Sequence, residues 1–371
     1  MTRRNWRALA LAAALMTSTA MITTDAHARQ TVEVAFVLDT TGSMGPLIEG
    51  AKRKIWSIAT AILDANPDAQ IRMGLVAYRD IGDDYVTKTF ELTTDIQDLY
   101  ASLLELRAKG GGDWPESVNE ALDVAVNKLA WTRGDDVRRI VFLVGDAPPH
   151  MDYAQDTKYP QTLKVAQQKD ILVNAVLAGQ ARDTERVWRE VAQRGGGRFI
   201  PIPQDGGEVV IIDTPYDEEI IILQEKIGRT VLPYGPARRR AEDKVRQVTS
   251  VAAAAPSSAS DMASFINKRA KQSGEAVTGD GDLVSDIKSG RKTLDQIADG
   301  DLPDDLRKLS APQRQAQIDT QMSERQALNE KLGALVAKRD AFVADKRKTA
   351  PKPASSFDSA VEATLKAQIK R

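Results

Sequence analysis

The sequence predicts an α/β fold: a doubly wound, mostly parallel six-stranded sheet with helices on both faces, followed by a helical C-terminal extension. Three observations carry this. Between Thr31 and Pro203, short β-branched apolar runs alternate with segments whose apolar residues recur at helical spacing, the pattern of strand–helix–strand units. Most of the runs are near-continuously apolar, as in strands buried on both faces. Two of them end abruptly in aspartate, at Asp39 and Asp146, and ligands of open α/β sheets bind just outside such carboxyl ends.

The first strand reads Val32–Asp39. Pro46 then opens a helix to about Ala65, with Ile48, Ala51, Ile55, Ile58, Ala59 and Ile62 on one stripe. The second strand is Ile71–Tyr78. The third, Val86–Leu92, alternates polar and apolar residues and reads as a half-exposed edge. Thr94 is expected to cap a helix over Asp95–Ala108. Gly110-Gly111-Gly112 interrupts the chain, and Pro115 suits the first position of the next helix, to about Leu129. A strand at Arg139–Gly145, a helix near Tyr159–Lys169, a strand at Leu172–Leu177, a helix at Asp183–Arg194 and a strand at Arg198–Ile202 complete the alternation. One more helix is expected at Asp217–Thr230, and Pro233 to Pro236 ends the domain, taken as residues 31–235. Residues 236–283 read as linker, because Val248–Ser260 is Ala/Ser-rich. Residues 284–371 read as a helical region, with a long polar helix from Ser310 to about Lys346 and a short one at Phe357–Ile369.

Composition excludes several chemistries. The 371 residues contain no cysteine and two histidines, His27 and His150, so there is no thiolate site, no disulfide and no multi-histidine zinc centre. Residues 1–28 read as an export signal: Arg3, Arg4 and Arg7 precede an apolar core from Ala8 to Met16 and a small-x-small site at Ala26–Ala28. That core is too short to span a bilayer, and no later stretch is long enough, so a periplasmic or secreted location after cleavage near Ala28 is expected. The near-neutral net charge of −1 gives no reason to expect nucleic-acid binding. Charge is unevenly distributed, net −9 over residues 29–235 and net +6 over 236–371, which suggests that the tail packs on the acidic domain or meets an anionic surface.

Three loops are expected to meet at the carboxyl edge of the sheet: Asp39–Ser43, Gly110–Glu116 and Asp146–Pro149. They would bring together Asp39, Thr41, Ser43, Asp113 and Asp146, all hard oxygen donors suited to Mg²⁺, Mn²⁺ or Ca²⁺. Carboxylates left unpaired in a partly desolvated cleft repel one another, and a divalent cation removes that repulsion. Asp113 can equally cap the helix after it. Asp80, Asp83 and Asp84 read as a solvated acidic loop, with a supporting role near the metal as the alternative. His150 reads as a loop residue or an outer partner of the site. Trp114 is a packing residue or part of an exposed rim.

On these residues the chain resembles the von Willebrand factor A domain family. Asp39-x-Thr41-x-Ser43 is similar to the first motif of its metal-ion-dependent adhesion site, Gly110–Glu116 to the second loop of bacterial members, and Val141–Asp146 to the third. Many members carry a metal-binding Thr in the second loop. Here Pro115 lies near that point, and Asp113 is the substitute. The resemblance implies a binding module, not an enzyme, with Mg²⁺ the first choice of ion and Mn²⁺ or Ca²⁺ as alternatives. It implies that one coordination position is left for an acidic group on a protein or cell-envelope ligand. Two other readings compete. Asp39-Thr-Thr-Gly-Ser43 also resembles the nucleophile motif of haloacid-dehalogenase-like phosphohydrolases, but Thr41 stands where their second, proton-donating Asp belongs. Alternatively the chain is a scaffold whose metal site is vestigial.

Overall fold

Nine-residue apolar runs paired side by side build the centre of the computed structural model, which describes residues 30–207, 212–254, 256–273, 281–349 and 356–369. Strand β1 (Thr31–Asp39) lies between β2 (Gln70–Tyr78) and β4 (Val137–Gly145), parallel to both. The edge strand β3 (Thr87–Thr93) is antiparallel to β2, and β5 (Ile171–Ala178) and β6 (Gly196–Ile202) continue in parallel beyond β4. The order is β3-β2-β1-β4-β5-β6. The direction of winding therefore reverses at β1, and the crevice between the carboxyl ends of β1 and β4 is the switch point where α/β sheets take ligands.

Because side chains alternate along each strand, β1 sends Val32, Val34 and Leu38 to one face and Ala35 and Val37 to the other, all buried. The first face is covered by α1 (Gly45–Ala65) and α2 (Ile96–Glu105). The second is covered by α3 (Val118–Asp123), which runs on as one π-helical turn to Lys128, by α4 (Tyr159–Gln168) and by α5 (Arg182–Arg194), whose Trp188 is fully buried. Two boundaries differ from the sequence reading. Asp95, not Thr94, caps α2, accepting from the backbone N–H of Asp98 at 3.3 Å. And α3 starts at Val118 rather than Pro115, because the Glu116 backbone is spent on a bridge to the loop after β4: its N–H donates to Pro148 at 2.9 Å and its carbonyl accepts from His150 at 3.1 Å.

The described α-helices of the C-terminal part are α6 (Asp217–Arg229), α7 (Arg238–Ala254), α8 (Pro256–Ser273), α9 (Leu283–Lys288), α10 (Asp304–Arg307), α11 (Ala311–Thr349) and α12 (Phe357–Ile369). Residues 236–283, read as linker from their composition, carry α7 and α8 instead. Ala is a strong helix former, and Met262, Phe265 and Ile266 of α8 are buried in the core on the first sheet face. On that face α12 adds Phe357, Val361, Leu365 and Ile369, and Gln368 and Asn174 of β5 exchange amide hydrogen bonds of 2.8 and 3.0 Å. Tail cations meet domain acids as the charge distribution suggested: Lys244 pairs with Asp95, Lys268 with Asp64 at 2.8 Å, and Arg339 with Asp217 at 2.8 Å. Arg325 of α11 is fully buried, 2.6 Å from Asp282 and hydrogen-bonded to Thr230. The export signal expected at 1–28 lies outside the described residues.

Candidate metal centre

At the end of β1 the chain leaves the sheet through Thr40 and turns into a short 3₁₀ helix, Gly42–Met44. The turn folds Thr41 back onto Asp39: its backbone N–H and its hydroxyl both donate to Asp39 Oδ1 at 2.8 Å, and Ser43 Oγ lies 3.4 Å from the Thr41 hydroxyl. Two backbone bonds hold this turn against the glycine loop, Gly42 N–H to Gly110 C=O at 3.1 Å and Lys109 N–H to Thr40 C=O at 3.1 Å. Glycine is needed here. A Cβ on Gly111 would stand 3.2 Å from both Glu116 Oε1 and Thr41 Cβ, and Gly110 and Gly111 both have φ of +81°.

Asp146 enters from the end of β4. Its charge acts on Asp39, its Oδ2 accepts from Gln204 Nε2 at 2.6 Å, and its backbone carbonyl accepts from the Thr184 hydroxyl at 3.1 Å. Asp39 is fully buried, and its Oδ2 has no hydrogen-bond partner. Burial foremost, and then the charge of Asp146, push the Asp39 carboxyl up to about 7 against the opposing bonds from Thr41. Glu116 is also buried, with Oε2 unpartnered. Burial, then Asp39, Asp80, Asp83 and Asp146, push it up to about 9. Gly145 leaves room for this arrangement, since a Cβ there would lie 3.3 Å from Asp39 Oδ2. Unpartnered buried carboxylate oxygens are costly alone and are the donors a hard dication takes. The residues present therefore fit such an ion: Asp39, Thr41, Ser43 and Asp146 can hold it, with Glu116 alongside.

The sequence pattern of the von Willebrand factor A domain matches residues 33–202, a span that begins in β1 and ends with β6. Residues 33–202 are a von Willebrand factor A domain. Two relatives match about a third of the chain. An ariadne-like RING finger protein of Acanthamoeba polyphaga mimivirus is 34% identical over 123 residues, covering 32% of this chain and 11% of its own length. The alpha-protein kinase vwkA of Dictyostelium discoideum is 30% identical over 127 residues, covering 33% of this chain and 20% of its own. The chain thus spans a fifth or less of these relatives. Among solved structures, the hypothetical protein BatB of Bacteroides thetaiotaomicron is 18% identical, with 47% of this chain and 90% of that one covered and a TM-score of 0.34. The SpRpn10 von Willebrand factor A domain is 13% identical, with 48% and 89% covered and a TM-score of 0.36. Domains of this family commonly bind a divalent cation and mediate protein interactions.

Of the five sequence-derived candidates, Thr41 is hydrogen-bonded to Asp39, Ser43 lies against Thr41 and the charge of Asp146 acts on Asp39, while Asp113 is turned elsewhere. The Asp113 side chain is 61% exposed and points to His150, with Oδ2 3.4 Å from Nε2. The second loop sends Glu116 toward Asp39 in its place, a residue that sequence reasoning placed in the loop without assigning it a role. Asp80 is buried rather than solvated, and His150, read as a loop residue or an outer partner, is buried in the loop after β4. Trp114 is 48% exposed and donates its indole N–H to Asp183 at 2.6 Å. With Ile81 and Met151, 50% and 51% exposed, it forms an apolar rim on the loops around the centre.

Proposed function

We propose that the domain is a metal-dependent binding module, in which Asp39, Thr41, Ser43 and Asp146 hold Mg²⁺ (Mn²⁺ or Ca²⁺ as alternatives) and an acidic group of a protein or cell-envelope ligand completes the coordination. The observation that carries this reading is the unpartnered, fully buried Oδ2 of Asp39, on which the charge of Asp146 acts. When bound, the ion supplies a Lewis-acidic position for an anionic ligand oxygen. Asp39 and Asp146 balance a dication in charge. Thr41 and Ser43 add neutral oxygens, so the site retains attraction for an anion. The half-exposed Ile81, Trp114 and Met151 around it suit a protein surface more than a small anion.

Binding is favoured over catalysis by Asp39 itself, whose Oδ1 is occupied by two hydrogen bonds and whose side chain is fully buried. It is no exposed nucleophile. Among the described residues no helix is long and apolar enough to cross a membrane. With the export signal read at residues 1–28, this supports a periplasmic or secreted bacterial protein. The test is capture of ligand from an envelope extract by the wild-type chain with Mg²⁺ and with chelator, alongside Asp39→Ala. Ligand retained equally in all three samples would refute the assignment.

A further inference from the structure

We propose a second metal site beside the first, formed by Asp80, Asp113 and His150 and suited to a borderline transition ion such as Zn²⁺. Asp80 follows β2, Asp113 sits in the glycine loop and His150 in the loop after β4. Their donor atoms lie within 4.8 Å of one another. His150 is 5% exposed, and its Nε2 makes no hydrogen bond although it is buried. It points between Asp80 Oδ2 and Asp113 Oδ2, 3.4 Å from each. Metal bonds of 2.0–2.1 Å in a tetrahedron place ligand atoms about 3.3–3.4 Å apart, so the two spacings from Nε2 need little adjustment.

The surroundings are those of a coordinated imidazole. The other ring nitrogen, Nδ1, is 2.9 Å from Asp152 Oδ1, the carboxylate–histidine pairing that orients metal-bound histidines and raises their basicity. Tyr153 stacks on the ring at 3.9 Å and 8°. Asp80 is fixed too: its Oδ1 accepts from Ser117 Oγ at 2.7 Å and its Oδ2 from the Tyr153 hydroxyl at 2.8 Å. Asp113 is the exposed member and opens the site to solvent, which leaves a fourth position for water or a ligand group. One imidazole and two carboxylates distinguish this site from the all-oxygen centre at Asp39. Nitrogen donors select Zn²⁺ and its neighbours over Mg²⁺.

The test titrates the full chain with Zn²⁺ by calorimetry under saturating Mg²⁺, with Co²⁺ absorption and ¹⁵N imidazole spectra as further readouts. One equivalent of Zn²⁺ is expected, with a displaced His150 Nε2 resonance, and Asp39→Ala keeps it. His150→Gln removes it. Asp113→Asn, at an exposed position that leaves the fold intact, weakens it at least 10-fold, and Asp152→Asn weakens it 10- to 100-fold. The proposal is overturned if no Zn²⁺ binds under saturating Mg²⁺, if Asp113→Asn binds Zn²⁺ as tightly as wild type, or if Asp39→Ala abolishes the Zn²⁺ equivalent. Each of these results is independent of whether the first centre takes Mg²⁺.

Discussion

Asp39→Asn is expected to stabilise the metal-free protein while destroying its response to metal. In the unfolded chain this carboxyl has its ordinary value of 3.8, and in the folded chain burial and Asp146 raise it to about 7. Between those two values the folded state holds the extra proton, so stability falls as pH rises through that window and is level above it. At 1.36 kcal/mol per pH unit, the interval corresponds to about 4 kcal/mol lost by pH 8. Asparagine carries no charge to desolvate. Its oxygen can keep the two bonds from Thr41, and its NH₂ can donate toward Asp146 in place of the unpartnered Oδ2. For a domain of this size about 4 kcal/mol is a melting shift of roughly 10 °C. The assay is thermal unfolding by circular dichroism in chelator at pH 5 and pH 8, then with Mg²⁺ added. The variant should melt well above wild type at pH 8 and keep somewhat more than a third of that margin at pH 5, with no gain from Mg²⁺. A wild-type melting temperature that is flat between pH 5 and 8, or a variant less stable than wild type at pH 8, would show that the Asp39 carboxyl is not strained by its burial.

Further outcomes follow from the same geometry. Mg²⁺ or Mn²⁺ at about 100 times its dissociation constant should stabilise wild type by about 2.7 kcal/mol, a gain that Asp39→Ala and Asp146→Ala both abolish in thermal melts. Gly145→Ala should cost about 1–3 kcal/mol and weaken metal binding in calorimetry, since its Cβ would fall 2.3 Å from Tyr78 Oη and 3.3 Å from Asp39 Oδ2. Phe357→Ala, which empties a buried position against Phe36, should cost about 3–5 kcal/mol in denaturant unfolding. Arg325→Ala strands the buried Asp282 carboxylate and should cost about 3–5 kcal/mol by the same measurement.

Much of this architecture could be read from residue patterns because burial on two faces leaves an unambiguous mark. Runs such as Val34–Leu38 admit few alternatives to a central strand, and the alternating Val86–Leu92 announced the edge strand seen at Thr87–Thr93. Asp39, Thr41 and Ser43 were legible because their convergence depends on one local turn. The second loop was not, because there the outcome rests on a long-range backbone bridge, Glu116 to Pro148 and His150, that turns Glu116 inward and Asp113 outward. The burial of Asp80 and His150 was hidden for the same reason, since acidic loops read as solvated until a tyrosine from another loop closes over them. Residues 236–283 misled through composition. An Ala/Ser-rich stretch suits a flexible connector or a closely packed helix equally well, and only the neighbouring sheet face decides between them.

The last helix has a consequence for how the protein is made. Phe357 packs against Phe36 of β1, and more than 300 residues separate the two in the chain. Without α12 the Phe36 side of β1 loses part of its cover, and a chain truncated ahead of Phe357 would be prone to clumping rather than a shortened working protein.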